Sequence, residues 1–405
     1  MAFFSFSSSQ KEEVSILLDV GSGSVGAAIV AFKKKERPEV LYATREDIAH
    51  YEHPGFKRFF RAMLNALETA TVRLHHEAFE KNGVPNIRAR DIEHIHCVLA
   101  SPWYTAITKI LCYEKKAPFT VTEAIVHELV EQSVLQQNAA AETSQTKEVA
   151  GTKIIEQKIV QILLNGYETS KPYGQNASRI EVALFTSSVA QEIGSRVQSV
   201  VRKTWMNRKI SFHSFALASF MVTRDLFPKD DNFMLIDITG EVTDIFFSQN
   251  GVLIETCSTP YGKNSVLRDM ARNMQTTPGE ALSLLRQYTE NNITKEASDK
   301  IAAALFATKT KWISYFETVL SYVTETETIP HTVYLMADPD VGPTFSKWLV
   351  KDDAGQRNSG EQHYQVTYLT EKMLNDRVSF KTAKERDFFL GIESAFINVI
   401  FSLLN

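Results

Sequence analysis

Residues 233–244, FMLIDITGEVTD, decide how the rest of the chain is read. An apolar run of strand character ends on Asp237. It passes through the small polar turn Thr239-Gly240-Glu241 and resumes as a strand from Thr243 to Phe247. Residues 16–28, ILLDVGSGSVGAA, repeat the pattern near the start: a run ending on Asp19, the turn Gly21-Ser22-Gly23-Ser24, and a second strand from Gly26 to Phe32. A single Asp-and-Gly hairpin is an ordinary turn, because both residues suit its backbone. Two copies, one opening each half of the chain, ask for a shared purpose. Backbone N–H groups in such turns can cradle phosphate oxygens, and an Asp at a strand end can hold a hydrated Mg²⁺. Facing each other across a cleft, the two hairpins would form a nucleotide clamp.

Composition sets the limits. With 405 residues and 44% hydrophobic side chains, the chain is long enough for two domains with cores of their own. A net charge of -4 removes the electrostatic reason to expect a nucleic-acid partner. Cys97, Cys112 and Cys257 fall in or beside apolar runs with no CxxC spacing, which reads as buried thiols in a reducing compartment. No apolar run approaches the ~18 residues of a membrane-spanning helix. Residues 1–10, MAFFSFSSSQ, lack the basic stretch and apolar core of a secretory signal. The cytoplasm is the expected compartment.

The paired hairpins resemble the phosphate-1 and phosphate-2 loops of the actin-like ATPase superfamily, which includes actin, Hsp70, hexokinase and FtsA. Asp19-Val-Gly21-Ser22-Gly23 is close to the actin-type wording, and the second loop keeps Asp237, Gly240, Thr243 and Asp244. Between them the reading gives strand, strand, helix, strand, strand. Its stretch 162–187, ILLNGYETSKPYGQNASRIEVALFTS, resembles the inserted 1C subdomain of FtsA and of the PilM-type pilus assembly proteins. The resemblance implies an α/β fold: two-domain actin-like (ribonuclease H-like) with an inserted 1C-type subdomain. Residues 1–13 would form a flexible tail, 14–90 and 188–228 domain 1, 91–187 the insert, and 229–405 domain 2. The small-residue helix 214–226 would cross between the domains as a hinge. The apolar ending 387–404 would dock on domain 2, and the polar stretches 138–149 and 351–363 would be connections.

The same resemblance implies a site. ATP and Mg²⁺ would be held by Asp19 and Asp237 through water on the metal. Gly21, Ser22, Gly23, Ser24, Thr239, Gly240, Thr243 and Gly262 would supply phosphate donors. Three departures weaken it: no Lys follows the first turn, Glu241 adds negative charge to the second loop, and Ala337-Asp338 replaces the adenine-side Gly-Gly. Lys263 is the candidate for compensating charge. Weak or degenerate ATP binding is expected, with at most a weak ATPase activity; no residue is assigned as hydrolytic base. PilM-like proteins imply an adaptor peripheral to the inner membrane, binding the cytoplasmic tail of a membrane protein, with self-association as a second partner class. Trp103 and Tyr104, between the insert and domain 1, are the expected anchors. An FtsA-like division filament and a small-molecule kinase are the alternatives. The FtsA-type basic anchor does not follow residue 404, and the altered loops argue against a kinase. His94 and His96 share one strand face, a spacing that can bind metal; with no third ligand nearby in sequence, they are read as outward polar positions.

Overall fold

The computed structural model describes residues 12–49, 55–81, 83–143, 151–290, 292–325, 327–350 and 364–404. The expected connection 351–363, the second half of 138–149 and all but the end of the expected tail lie outside these residues; 138–143 continue a helix rather than a connection, and Glu12 and Glu13 belong to the first strand.

In chain order the first half gives β1 (Glu12–Val20), β2 (Ser24–Lys33), β3 (Glu39–Asp47), α1 (Phe56–His75) and β4 (His94–Leu99). The insert follows with β5 (Thr105–Thr120), α2 (Glu123–Thr143), β6 (Thr152–Leu164), β7 (Tyr167–Glu168) and β8 (Asn176–Ala190). The chain returns with α3 (Gln191–Thr204), β9 (Lys209–Ser214) and α4 (Phe215–Leu226). The second half contains β10 (Phe233–Ile238), β11 (Thr243–Gln249), β12 (Val252–Thr259), α5 (Lys263–Met274), α6 (Pro278–Thr289), α7 (Lys295–Thr324), β13 (Thr332–Ala337), α8 (Gly342–Leu349) and β14 (Gln365–Tyr368). Last come β15 (Ser379–Phe380) and α9 (Phe388–Leu404).

These strands form three sheets. The first runs β15-β3-β2-β1-β4-β9, the second β12-β11-β10-β13-β14, and the insert's own sheet β5-β8-β6-β7. The first two share one plan: a central strand ending on the Asp, an antiparallel hairpin partner on one side and a parallel strand on the other. Each central strand is buried throughout its middle because helices cover both faces, which is why it reads as an unbroken apolar run. α1 and α3 pack together against the first sheet, α4 and α9 likewise, and α5, α6 and α7 cluster beside the second. The helix α4 is buried over most of its length, and the core runs through it from Ile16 and Leu17 to Phe233, Leu235 and Tyr334 of the second half. The insert has a small core of its own around Val121, Ile180 and Val182.

Three expectations need correction. The strand His94–Leu99 does not belong with the insert. It lies in the first sheet between β1 and β9, parallel to both, and the separate sheet begins at Thr105. The chain's last apolar helix docks on the first half, not on the second: α9 contacts β1, β2 and α4, and β15 adds to the edge of β3. A helix apolar on nearly every side carries no mark of which sheet it will cover. His96 is buried, with its ring beside His94 and His213, so it is not an outward position.

Candidate functional site

The two Asp-ending strands point their turns at one another, and the turns touch. Thr239 spends its single hydroxyl hydrogen on the Val242 carbonyl at 3.0 Å. Its oxygen, 2.7 Å from Ser22 Oγ, must therefore accept, so Ser22 donates to it. Ser22 Oγ in turn accepts from the Glu241 backbone N–H at 2.9 Å. Beside this pair Gly23 and Gly240 lie backbone to backbone. A Cβ on Gly240 would stand 2.6 Å from the Gly23 nitrogen and 2.9 Å from Asn264 Nδ2, so only the absence of a side chain allows the approach.

Gly21 and Thr243, expected as phosphate donors, are engaged within the protein. Gly21 donates its N–H to the Ser24 carbonyl, and its own carbonyl accepts from Trp103 Nε1 at 2.7 Å. Ser24 Oγ accepts from Arg45. Thr243 is buried, donating to the Tyr261 carbonyl and accepting from Trp312 Nε1. Gly262 backs onto the second hairpin. Directly after it, the first amides of α5 donate to that hairpin's carbonyls, Lys263 N to Thr239 and Asn264 N to Gly240. This helix N-terminus does not face a phosphate.

Four charged residues that sequence reasoning did not single out shape the electrostatics. Arg45, on β3, reaches across β2 to Asp19 at 2.7 Å and also pairs with Asp387 at 2.7 Å. Burial opposes the charge on Arg45, but the two carboxylates outweigh it and hold the guanidinium firmly ionised. Burial also pushes Asp19 upward against the pull of Arg45, while Arg45 outweighs burial at Asp387 and holds it low. Glu393 of α9, buried near Asp19, is pushed well up by burial and by the Asp19 charge. Glu241 does not aim its charge at the cleft: Arg268 grips it bidentately at 2.9 and 2.6 Å, and Asn264 donates at 3.0 Å. Lys263, the expected counter-charge, is tied to Asp338 at 2.7 Å.

Asp237 stands apart. It is fully buried and neither carboxylate oxygen has a hydrogen-bond partner. Burial, then the charges of Asp244 and Asp19, push its carboxyl well above the usual range. Asp244 is raised to about 6 by burial, against hydrogen bonds from Ser258 and Ser101. An orphaned buried carboxylate among acidic neighbours suits a cation or a proton. The space available decides how much more could enter. A cavity of about 40 Å³ lies among Asp19, Gly21, Ser22, Asp237 and Thr239, and one of about 120 Å³ among Lys263, Asn264, Arg268 and Asp338. One water needs about 10–15 Å³ measured in this way. Pockets for drug-sized ligands run to roughly 300–1,000 Å³. The site with its hairpins in contact has room for a cation with water and does not fit a nucleoside triphosphate.

The anchors expected for a partner are also displaced. Trp103 is 1% exposed, packed by Phe56, Phe59 and Phe60, and fixes the first hairpin through Gly21. Tyr104 is buried and its hydroxyl accepts from Ala216 N. Neither presents a surface to a tail. Large apolar residues seldom announce from sequence alone whether they fill a core or a groove.

No protein-family model matches the sequence, and no curated protein matches it. Solved structures do. A chain of the PilM–PilN type IV pilus biogenesis complex aligns over 96% of this chain and 98% of its own length, with a TM-score of 0.56 and 11% identity. A Bacteroides thetaiotaomicron protein of actin-like ATPase fold covers 97% of this chain and 99% of its own, with a TM-score of 0.41 and 8% identity. The ethanolamine utilization protein EutJ from Carboxydothermus hydrogenoformans covers 95% and 89%, with a TM-score of 0.42 and 8% identity. The fold is that of the actin-like ATPases, as the paired hairpins led us to expect. No helix among the described residues is long and apolar enough to cross a membrane.

Proposed function

We propose that this actin-like chain is a PilM-like adaptor: a cytoplasmic scaffold held at an inner-membrane assembly platform, of type IV pilus or secretion type, by the cytoplasmic tail of a membrane protein. The observation that carries the reading is the contact between the two hairpins. Ser22, Thr239, Gly23 and Gly240 fill with protein the space a polyphosphate would take, so the two halves are joined without a nucleotide between them. ATP enters only if these contacts part, which makes its binding weak and its turnover slow.

The place for the tail is then not at Trp103 and Tyr104 but at another junction of the insert with the first half. A cleft of about 390 Å³ separates the insert from the first half. It is lined by Lys153 to Lys158 of β6, Ile210 to His213 of β9, Gln198 of α3 and Ile400 of α9. β9 ends its sheet, and β6 carries β7 on its outer side only at Leu163 and Leu164. Both strands therefore offer edges to the cleft, and unpaired edges are templates for an added strand. The volume lies at the lower end for ligand sites, which suits a short extended segment. The likeness to a chain of a PilM–PilN type IV pilus biogenesis complex supports a partner of this kind.

The test is fluorescence anisotropy against a peptide set of N-terminal cytoplasmic segments from single-span membrane proteins of the source cell. Gln198→Trp, at a partly exposed helix position on the cleft wall, should abolish micromolar peptide binding without lowering the melting temperature. Unchanged binding in that variant would remove the cleft from the proposal. Rapid ATP turnover by the purified chain would remove the scaffold itself.

A further inference from the structure

At the end of β1 remote from Asp19 lies a second group of chemistry-bearing side chains. Glu13 and Asp19 are six positions apart on one strand, about 20 Å at ~3.3 Å per residue. β1 and β4 run parallel with Ser15 opposite His94. That register brings Glu13 beside His94 and His96, which share a face of β4. One donor atom from each of the three lies within 4.8 Å of the other two, and no other such trio occurs among the described residues. The two imidazole rings are 4.0 Å apart.

The hydrogen bonds around the trio fix where its protons sit. Glu156, brought in by the insert, places Oε1 3.2 Å from His213 Nδ1, while its Oε2 accepts from Ser214. A carboxylate only accepts, so His213 carries a proton on Nδ1, and in the neutral ring Nε2 is then the lone-pair nitrogen. That Nε2 lies 3.2 Å from His96 Nδ1 and accepts from it. The lone pair of His96 is therefore on Nε2. This is the carboxylate-to-histidine arrangement that orients a metal-ligating imidazole, extended by one ring. His94 bonds Ser211 Oγ through Nε2 at 2.8 Å and turns Nδ1 to within 3.7 Å of Glu13.

We propose that Glu13, His94 and His96 bind a divalent transition metal of the zinc class, leaving a fourth position for water. Two imidazoles and one carboxylate are a donor set that suits Zn²⁺ and its first-row neighbours. Bonds of about 2.0–2.1 Å place tetrahedral donors roughly 3.3 Å apart, so the trio closes by about 1.5 Å at most on binding. Glu13 and His94 are partly exposed, and Glu13 Oε1 also accepts from Ser15 Oγ at 3.0 Å. An entry path exists: a cavity of about 590 Å³ opens over Glu13 and His94, with Asp91 and Glu93 on its wall offsetting Lys209 and Arg208.

The experiment uses the full, untagged chain stripped with chelator. Zn²⁺ is titrated by calorimetry and Co²⁺ by visible absorption, with melting curves for every variant. One Zn²⁺ per chain at micromolar or tighter affinity is expected, with Co²⁺ giving the absorption of a tetrahedral N/O site. His94→Asn and Glu13→Gln, both at partly exposed positions, should each lower affinity at least tenfold while melting as folded proteins. Absence of binding at millimolar Zn²⁺ would overturn the proposal. So would unchanged affinity and stoichiometry in the two folded variants, which would place the metal elsewhere on the chain.

Discussion

Gly240→Ala tests the hairpin contact directly. The new methyl would stand 2.6 Å from the Gly23 nitrogen, where an ordinary carbon contact needs about 3.5 Å, so the turns must part by roughly 1 Å. Overpacking of this kind costs about 1–3 kcal/mol. Parting the turns also stretches the Ser22–Thr239 and Glu241–Ser22 hydrogen bonds, worth about 0.5–1.5 kcal/mol each. The expected total is about 2–6 kcal/mol. Gly23→Ala, whose methyl would meet Gly240 less closely, at 2.9 Å from its Cα and 3.2 Å from its nitrogen, should cost less. Gly279→Ala is the control: it lies in the first turn of α6, its methyl meets nothing within 4 Å, and it should be neutral or stabilising by up to ~1 kcal/mol. Denaturant titration gives the ranking. Hydrogen exchange at residues 22–24 and 239–241 locates the effect, with faster exchange expected at both turns in Gly240→Ala, a smaller change in Gly23→Ala and none in Gly279→Ala. If Gly240→Ala unfolds at the same denaturant concentration as Gly279→Ala and exchanges like the parent, the hairpins do not touch in solution and the scaffold reading loses its support.

Other changes probe the surroundings. Arg45→Met should destabilise by about 3 kcal/mol, the low end for breaking a buried ion pair because a quarter of the Arg45 side chain still meets solvent; adding Asp387→Asn should recover part of the loss in a double-mutant cycle. Asp237→Asn should stabilise the chain by about 1–3 kcal/mol at pH 7, since it removes the cost of burying an ionisable carboxyl with no hydrogen-bond partner; a lower melting temperature would show that the carboxyl is needed in the fold. Asp244 titrates near 6 when folded, above its unfolded value, so its contribution is fully present below the unfolded pKa and is lost as pH rises through the folded one. The advantage of Asp244→Asn over the parent should therefore grow from about pH 4 to pH 6 and then level off; an advantage independent of pH would contradict that assignment. Trp103→Ala should cost about 3–5 kcal/mol in a melting or denaturant assay, as expected for a side chain packed in the core.

The parts of the fold legible in the sequence were those whose signal is local. A strand, an Asp and a turn of small residues are consecutive, so both hairpins and their repeat could be read directly. The distribution of long-range contacts could not. The i, i+2 spacing of His94 and His96 was visible, but Glu13 joins them only because β1 pairs with β4, and Glu156 arrives from an insert more than forty residues further on. Arg45 was silent for the same reason: its link to Asp19 depends on the stacking of three strands in one sheet. Trp103 shows the limit for single residues, since an indole beside a loop reads alike as a core residue or an exposed anchor. Glu241 shows it for charge: its sequence neighbours suggest repulsion, whereas Arg268, one helix later, cancels it.

The return of β15 and α9 to the first sheet has a mechanical consequence. The second half is inserted in the first, leaving it after α4 and rejoining it at β15, so two covalent crossings join the halves rather than one. The first and last described elements, β1 and α9, pack on each other within the first half. A pull applied through these two elements would shear that half alone and leave the second, with its buried Asp237, under no tension. A pull between a tail seated at β6 and β9 and a contact on the second half would act instead across the Ser22–Thr239 hydrogen bond, making the hairpin contact the first place to yield.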